Sequence, residues 1–402
     1  MKELISISKA IEILSFIYVD MLGKERISIF KAKDRVLAQD IVAHIDVPGF
    51  DRSAMDGYAI KAEDTFGSSD KRPSSFKLKG DSDDESAPCR IGHGDAIKVH
   101  TGSVVPKGAN AVVRFEDAVE VGGSIKVFKT IIPGKNISYK GEDIKCGNII
   151  LRSGRILRSQ HIGMIASLGY GSIEVYRRPV VAVFATGDDL VEVGSLPTEG
   201  KTLNSNIPMI YGSLKELGCK VIYLGIAENK EEGILAKLNL AIEKADAVIT
   251  IGGMSVGNKD IVPQVIGGTG KILFHGVRIR PGKLCGAAVV GKRPVLMLPG
   301  YPVAALLTFK KFFPVILSRM MGNSEYPGKE INFFVRPKTK ISTREDSTYL
   351  VKVNVYKYLA EPVNIYSDVM LSSMVNVNAI LEIPEEINEV TPEDMIECTY
   401  LG

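Results

Sequence analysis

Three short segments of this chain join glycine to residues suited to oxyanions. They are Thr186-Gly187-Asp188-Asp189-Leu190, Gly252-Gly253-Met254-Ser255-Val256-Gly257-Asn258-Lys259-Asp260, and Pro299-Gly300-Tyr301-Pro302. Glycine lets backbone N–H groups approach an anion closely, and a helix start adds favourable partial charge. Asp188, Asp189 and Asp260 would supply carboxylates of the kind that hold Mg²⁺ on phosphate oxygens. Each segment alone has a plainer account: Gly-Gly after a strand is commonly a turn, and Asp-Asp caps a helix or faces water. Three on one edge shift the reading to a phosphate or oxyanion site.

A basic run, Arg278-Ile279-Arg280-Pro281-Gly282-Lys283, follows. Alternation sets Arg278 and Arg280 on one side, beside a turn presenting Lys283, which suits a phosphate or a similar dianion as well as a solvated edge strand. Nearer the N-terminus, Val47 to Ala59 contains Asp56-Gly57, a hairpin signal that by itself reads as a turn. His100-Thr101-Gly102-Ser103 and Ala111 to Asp117 place hydroxyls and carboxylates around strand ends. His44, His93, His100, His161 and His275 do not fall at metal-ligand spacings such as H-E-x-x-H, and neither a G-x-S-x-G elbow nor a Walker loop is present.

The elements that must position these residues change character along the chain. Ile7, Ile11, Leu14 and Tyr18 fall on one helical face behind a Ser6 cap. From about Ile45 to Tyr139 short β runs dominate, among them Ala96 to Val99, Ala111 to Val113 and Ile125 to Phe128. Ser68 to Pro88 reads as a solvated polar loop. From Arg178 strand and helix alternate. Pro179 to Ala185, Lys220 to Gly225, Ala247 to Ile251 and Pro294 to Leu298 read as strands. Helices are expected from an Asn204 cap to Gly218, from Glu231 to Lys244, and from Pro302 to about Arg319. Such βα units predict a mostly parallel sheet covered on both faces, with ligands beyond the carboxyl ends of its strands. Beyond about Met321 the pattern is β-rich, as in Glu330 to Val335 and Leu350 to Val355.

At 402 residues, two to four domains are expected. Hydrophobic residues make up 45% and charged residues 24%, an ordinary soluble globular balance. Fifty basic against 47 acidic residues leave a net charge of +3, which argues against broad nucleic-acid binding. Cys89, Cys146, Cys219, Cys285 and Cys398 form no C-x-x-C pair, and their odd number fits a reducing interior. No secretory signal or membrane span is expected, so the protein reads as cytoplasmic.

Taken in order, Ser53-Ala54-Met55-Asp56-Gly57-Tyr58-Ala59, Thr101-Gly102, the Thr186 loop, the Gly252 loop with Asp260, and Leu298-Pro299-Gly300-Tyr301-Pro302 resemble the molybdopterin molybdenumtransferase family. That family includes MoeA and the E domain of gephyrin, and the resemblance runs from about Ile7 to Pro384. It implies a multidomain α/β plus β fold. A helical and β domain would occupy 1–45 and 141–177, with a small β domain inserted at 46–140. A three-layer α/β domain related to molybdopterin adenylyltransferases would span 178–320, and a β-barrel 321–402. It further implies a homodimer, with the active site between the α/β domain of one subunit and the inserted domain of the other, and a molybdopterin adenylyltransferase as a further partner.

The implied reaction takes adenylated molybdopterin and molybdate (or tungstate), releases AMP, and delivers metal to the dithiolene sulfurs. Asp56, Thr101, Asp189 and Asp260 would be catalytic, with Asp189 and Asp260 holding Mg²⁺. Ser53, Gly252, Gly253, Ser255, Arg278, Arg280, Lys283, Pro299, Gly300, Pro302 and Arg344 would line the substrate, with Ser372-Ser373 near the cleft. The chain departs from the pattern at Asp189, where Glu is common, at Gly276 in place of a lysine, at Glu228 in place of Asp, and at Asp368 to Leu371, which lacks a glycine. Two other readings compete: nucleotide pyrophosphatase or adenylyltransferase chemistry on the shared α/β domain, and a non-catalytic pterin-binding or scaffold role.

Overall fold

The structure is a computed structural model that describes residues 4–84, 89–254, 261–323, 331–344, 346–363 and 370–401. The chain divides into two compact units, one of residues 1–39, 153–158 and 172–402, the other of 40–152 and 159–171.

The second unit is built on a six-stranded sheet ordered Ala111–Arg114, Gly57–Ile60, Asp95–Val99, Ser74–Asp81, Ser124–Val127, Ala118–Val121. Alternation covers both faces. Tyr58, Ile60, Phe76 and Ile125 pack on one side, and Ala59, Ile97, Val99 and Val112 on the other. The strand Ser74–Asp81 corrects the expectation of a solvated loop over Ser68 to Pro88, of which 85–88 lie outside the described residues. Phe76 is 1% exposed, and its strand pairs with Ser124–Val127, so one aromatic on the inner face outweighs a polar composition. Gly57 opens its strand without a hairpin to the strand before it. A Cβ there would lie 2.0 Å from the Val113 carbonyl oxygen, so close backbone approach requires the glycine.

In the first unit, helix α1 (Ile7–Ser15) is capped as expected, with Ser6 Oγ accepting from the Lys9 amide at 3.1 Å. Helix α2 (Ser159–Ser167) belongs to the second unit. The central sheet runs Lys220–Ala227, Val180–Thr186, Ala247–Ile251, Arg293–Leu298, Gly286–Val290, Lys271–His275. Its first four strands are parallel, and Gly286–Val290 runs antiparallel to both its neighbours, Arg293–Leu298 and Lys271–His275. Two buried clusters line opposite faces, one containing Val181, Val183 and Ile249, the other Ala182, Phe184 and Val248. Helices α3 (Asn206–Glu216), α4 (Glu231–Lys244), α5 (Ile261–Thr269) and α6 (Pro302–Met320) cover it. Asn204 does not cap α3: the cap is Ser205, and the Asn204 amide instead donates to the Tyr223 hydroxyl at 3.2 Å. Asp246, 6% exposed, precedes the Ala247 strand and takes a two-pronged ion pair from Arg177 at 2.6 and 2.7 Å.

The C-terminal part closes on itself. Thr348–Tyr356, Leu359–Pro362, Asn332–Pro337, Ile396–Tyr400 and Ala379–Ile383 pair in a ring of five strands, around Val335, Val351, Val353 and Leu381. Ile279–Arg280 joins its edge, parallel to Thr348 and Tyr349. Cys219, Cys285 and Cys398 are buried, whereas Cys89 and Cys146 are exposed. Burial pushes the thiols of Cys219 and Cys398 up to about 12, and that of Cys285 higher still.

Candidate functional site

The parallel register sets the ends of three neighbouring strands level: Ala185 lies beside Ile251, and Ile251 beside Leu298. Their following loops therefore emerge together. The Gly252 amide donates to the Leu298 carbonyl at 3.0 Å, and a Cβ at Gly300 would lie only 3.7 Å from the Gly252 Cα. Gly252 has φ +92° and Gly253 φ +67°, which side chains rarely tolerate. A Cβ at Gly252 would meet the Thr186 carbonyl oxygen at 2.5 Å, and one at Gly253 the Thr186 hydroxyl at 2.6 Å. Pro299 is buried, Gly300 is exposed, and Pro302 stands in the first turn of α6. The backbone of these loops, with the start of a 19-residue helix, has the chemistry to accept an anion.

The basic run reaches the same edge, because Gly286 pairs with Met297 and His275 with Gly286. Gly282 packs on α6, where a Cβ would lie 2.2 Å from a Thr308 methyl carbon. The two arginines have different surroundings. Arg278 binds Glu385 at 2.6 and 3.1 Å and the Leu4 carbonyl at 3.0 Å, which makes it a strut between segments. Arg280 donates to Asp346 at 2.8 Å and lies over the Tyr349 ring. Lys283 is half-buried and Arg344 exposed. Ser373 is turned inward, accepting from Lys352 at 2.8 Å.

Two carboxylates that look alike in sequence part company in space. Asp188 Oδ1 accepts from the Asn229 amide at 3.0 Å, and the Asp188 carbonyl holds Lys201 at 2.6 Å. Asp189 is exposed, and its side chain has no hydrogen-bond partner among the described residues. Ser255 and Asp260 lie outside the described residues. Two further polar groups were given no role of their own from the sequence. Asn206 Nδ2 donates to the Gly300 carbonyl at 2.7 Å, and the Thr186 hydroxyl, in a residue 3% exposed, has no partner among the described residues. Thr186 opens one of the singled-out loops, yet nothing in a lone threonine signals an unsatisfied hydroxyl. Asn206 sits in a helix start and looks there like an ordinary terminal residue.

In the second unit, Asp56 Oδ1 accepts from the Thr101 amide at 2.7 Å and from its hydroxyl at 3.0 Å. These bonds, the backbone one foremost, hold the Asp56 carboxyl below the usual carboxylate range. His100 stands beside it, with Nδ1 4.0 Å from Asp56 and Nε2 3.4 Å from Asp81. Ser53 is 1% exposed and gives its hydroxyl to the Met55 carbonyl, so it shapes the turn before Asp56.

The profile for the MoeA N-terminal region (domain I and II) matches residues 5–169, and that described as "Probable molybdopterin binding domain" matches residues 182–318. A molybdopterin biosynthesis protein of Methanocaldococcus jannaschii is 33% identical over 393 residues, covering 96% of this chain and 94% of the relative. A molybdopterin molybdenumtransferase of Staphylococcus aureus is 35% identical over 302 residues, 74% of this chain and 72% of the relative. The crystal structure of the molybdopterin biosynthesis MoeA protein from Pyrococcus horikoshii OT3 matches with a TM-score of 0.86 and 31% identity, covering 99% of this chain and 100% of that one. The chain belongs to the MoeA family, whose members act in molybdenum cofactor biosynthesis.

Proposed function

We propose that this protein inserts molybdate (or tungstate) into adenylated molybdopterin while water adds across the phosphoanhydride, so that AMP leaves with one phosphate and the pterin keeps the other. The observation that carries the reading is the convergence of the Thr186, Gly252 and Pro299–Pro302 loops with the Arg280–Lys283 turn on one sheet edge. A substrate with two linked phosphates, exchanged against an oxyanion, needs donors and positive charge more than a covalent nucleophile. Backbone N–H groups of Gly253 and Gly300 would receive phosphate oxygens, while Arg280 and Lys283 would neutralise charge on the anhydride or on molybdate. Asn206 would hold the Gly300 carbonyl away from the incoming anion. Asp56, kept ionised by Thr101, would act as an acceptor toward substrate N–H or O–H groups.

The donor chemistry also fits Mg²⁺: Asp189 is an exposed carboxylate with no described partner, and Mg²⁺ takes one or two carboxylates plus phosphate oxygens. Asp189, with Asp260, would hold it, and it would supply positive charge to the phosphates. A homodimer in the cytoplasm completes the proposal. Purified protein incubated with adenylated molybdopterin and Mg²⁺ should release AMP, faster with molybdate, and yield metal-loaded pterin. Pterin binding without AMP release would overturn the catalytic reading in favour of a scaffold, and AMP release from ATP would favour general pyrophosphatase chemistry.

A further inference from the structure

We propose that Asp346 is a tethered competitor for the anion that Arg280 binds, and so sets the affinity of the site for small oxyanions. The inference rests on the reading above, in which Arg280 faces a substrate anion. A guanidinium carries five N–H donors in a planar fork suited to carboxylate or to two oxygens of a tetrahedral oxyanion. In Arg280 one of those donors, on Nη2, is spent on Asp346 Oδ2 at 2.8 Å. Its Nε–H, sheltered from solvent, has no acceptor among the described residues. The guanidinium carbon lies 5.8 Å from the Tyr349 ring centroid, which limits how the plane can turn.

The neighbouring Arg278 shows what a structural arginine looks like in the same run. It takes both oxygens of Glu385 and adds the Leu4 carbonyl. Among the described residues Arg280 has a single bond, to a carboxylate whose side chain is 54% exposed. An exposed pair of this kind is weak and exchangeable. A dianion arriving at Arg280 meets a carboxylate already in place, which it must displace or bind beside against like charge. The pairing Ile279↔Thr348 and Arg280↔Tyr349 keeps Asp346 close to the arginine, so the competitor acts at a high effective concentration.

Calorimetric titration of the full-length protein with sodium molybdate alone, and separately with inorganic phosphate, tests this. Asp346→Asn should tighten binding of both anions about 3- to 10-fold, and Asp346→Glu, which keeps the charge, should stay near the parent. Arg280→Gln should weaken binding, and the gain from Asp346→Asn should vanish in the double variant. Unchanged or weaker binding in Asp346→Asn, or a gain that persists without Arg280, would overturn the proposal. If Arg280→Gln binds both anions like the parent, the underlying reading of Arg280 fails instead, and the competition with it. Thermal unfolding of each variant separates these results from misfolding.

Discussion

The side-chain amide of Asn206 donates to the carbonyl oxygen of Gly300 at 2.7 Å, so the first turn of α3 holds the loop that precedes α6. The bond fixes which way the Gly300 peptide faces. Asn206→Ala should cost about 1 kcal/mol in chemical unfolding. It should raise the KM for the adenylated pterin about 10-fold while lowering kcat less, because the loop still forms but no longer in one orientation. An unchanged KM would show that the Gly300 loop does not touch substrate.

Asp56 should be needed as a carboxylate. Thr101 holds its pKa below the ordinary value, so it is ionised throughout the neutral range. Asp56→Asn should lower kcat/KM by about 100-fold or more, with little change in the melting temperature. Thr101→Ala removes the 3.0 Å hydroxyl bond and leaves the 2.7 Å amide bond, so its effect should be several-fold smaller. The pH–rate profile of the parent should show no inflection from Asp56 above about pH 4.

Gly57 is a test of backbone packing. A Cβ at this position meets the Val113 carbonyl oxygen at 2.0 Å, and the two strands are paired there. Gly57→Ala should destabilise the second unit by about 3 kcal/mol. Hydrogen exchange should speed up in Gly57–Ile60 and Ala111–Arg114, while the strands of the first unit keep their protection.

Asp246 links stability to acid. Desolvation pushes its pKa up, but hydrogen bonds from Arg177 and the Val180 amide outweigh this and lower it overall. With the folded pKa below the unfolded one, the stabilisation is complete above about pH 4 and is lost as pH falls through the folded value. Asp246→Asn should cost about 2–3 kcal/mol at neutral pH, less than a fully buried pair, because Arg177 reaches solvent. The difference from the parent should shrink in denaturant melts taken below about pH 4.

The α/β part was readable because its signals are local. Glu231–Lys244 and Ala247–Ile251 fall where apolar periodicity places them, and Pro302 opens α6 as proline in a first turn should. The strand around Phe76 was missed because only one large aromatic marks its inner face, amid serine, lysine and aspartate. The glycine loops could be placed on one edge from the order of strands. Their mutual approach depends on strand register, and the difference between Arg278 and Arg280 on contacts with Leu4, Asp346 and Glu385, all set by residues far apart in sequence. Asn204 misled for a related reason: its amide is drawn to Tyr223, a tertiary partner that local capping rules do not include.

The three cysteines of the first unit are all buried, and burial keeps their sulfurs protonated. Molybdenum and tungsten bind sulfur readily once it is anionic. In the proposed reaction the first unit's own sulfur, neutral and enclosed, would offer no rival to the pterin's sulfur pair. A cysteine exposed and ionised within this unit would turn a courier of that kind into a sink.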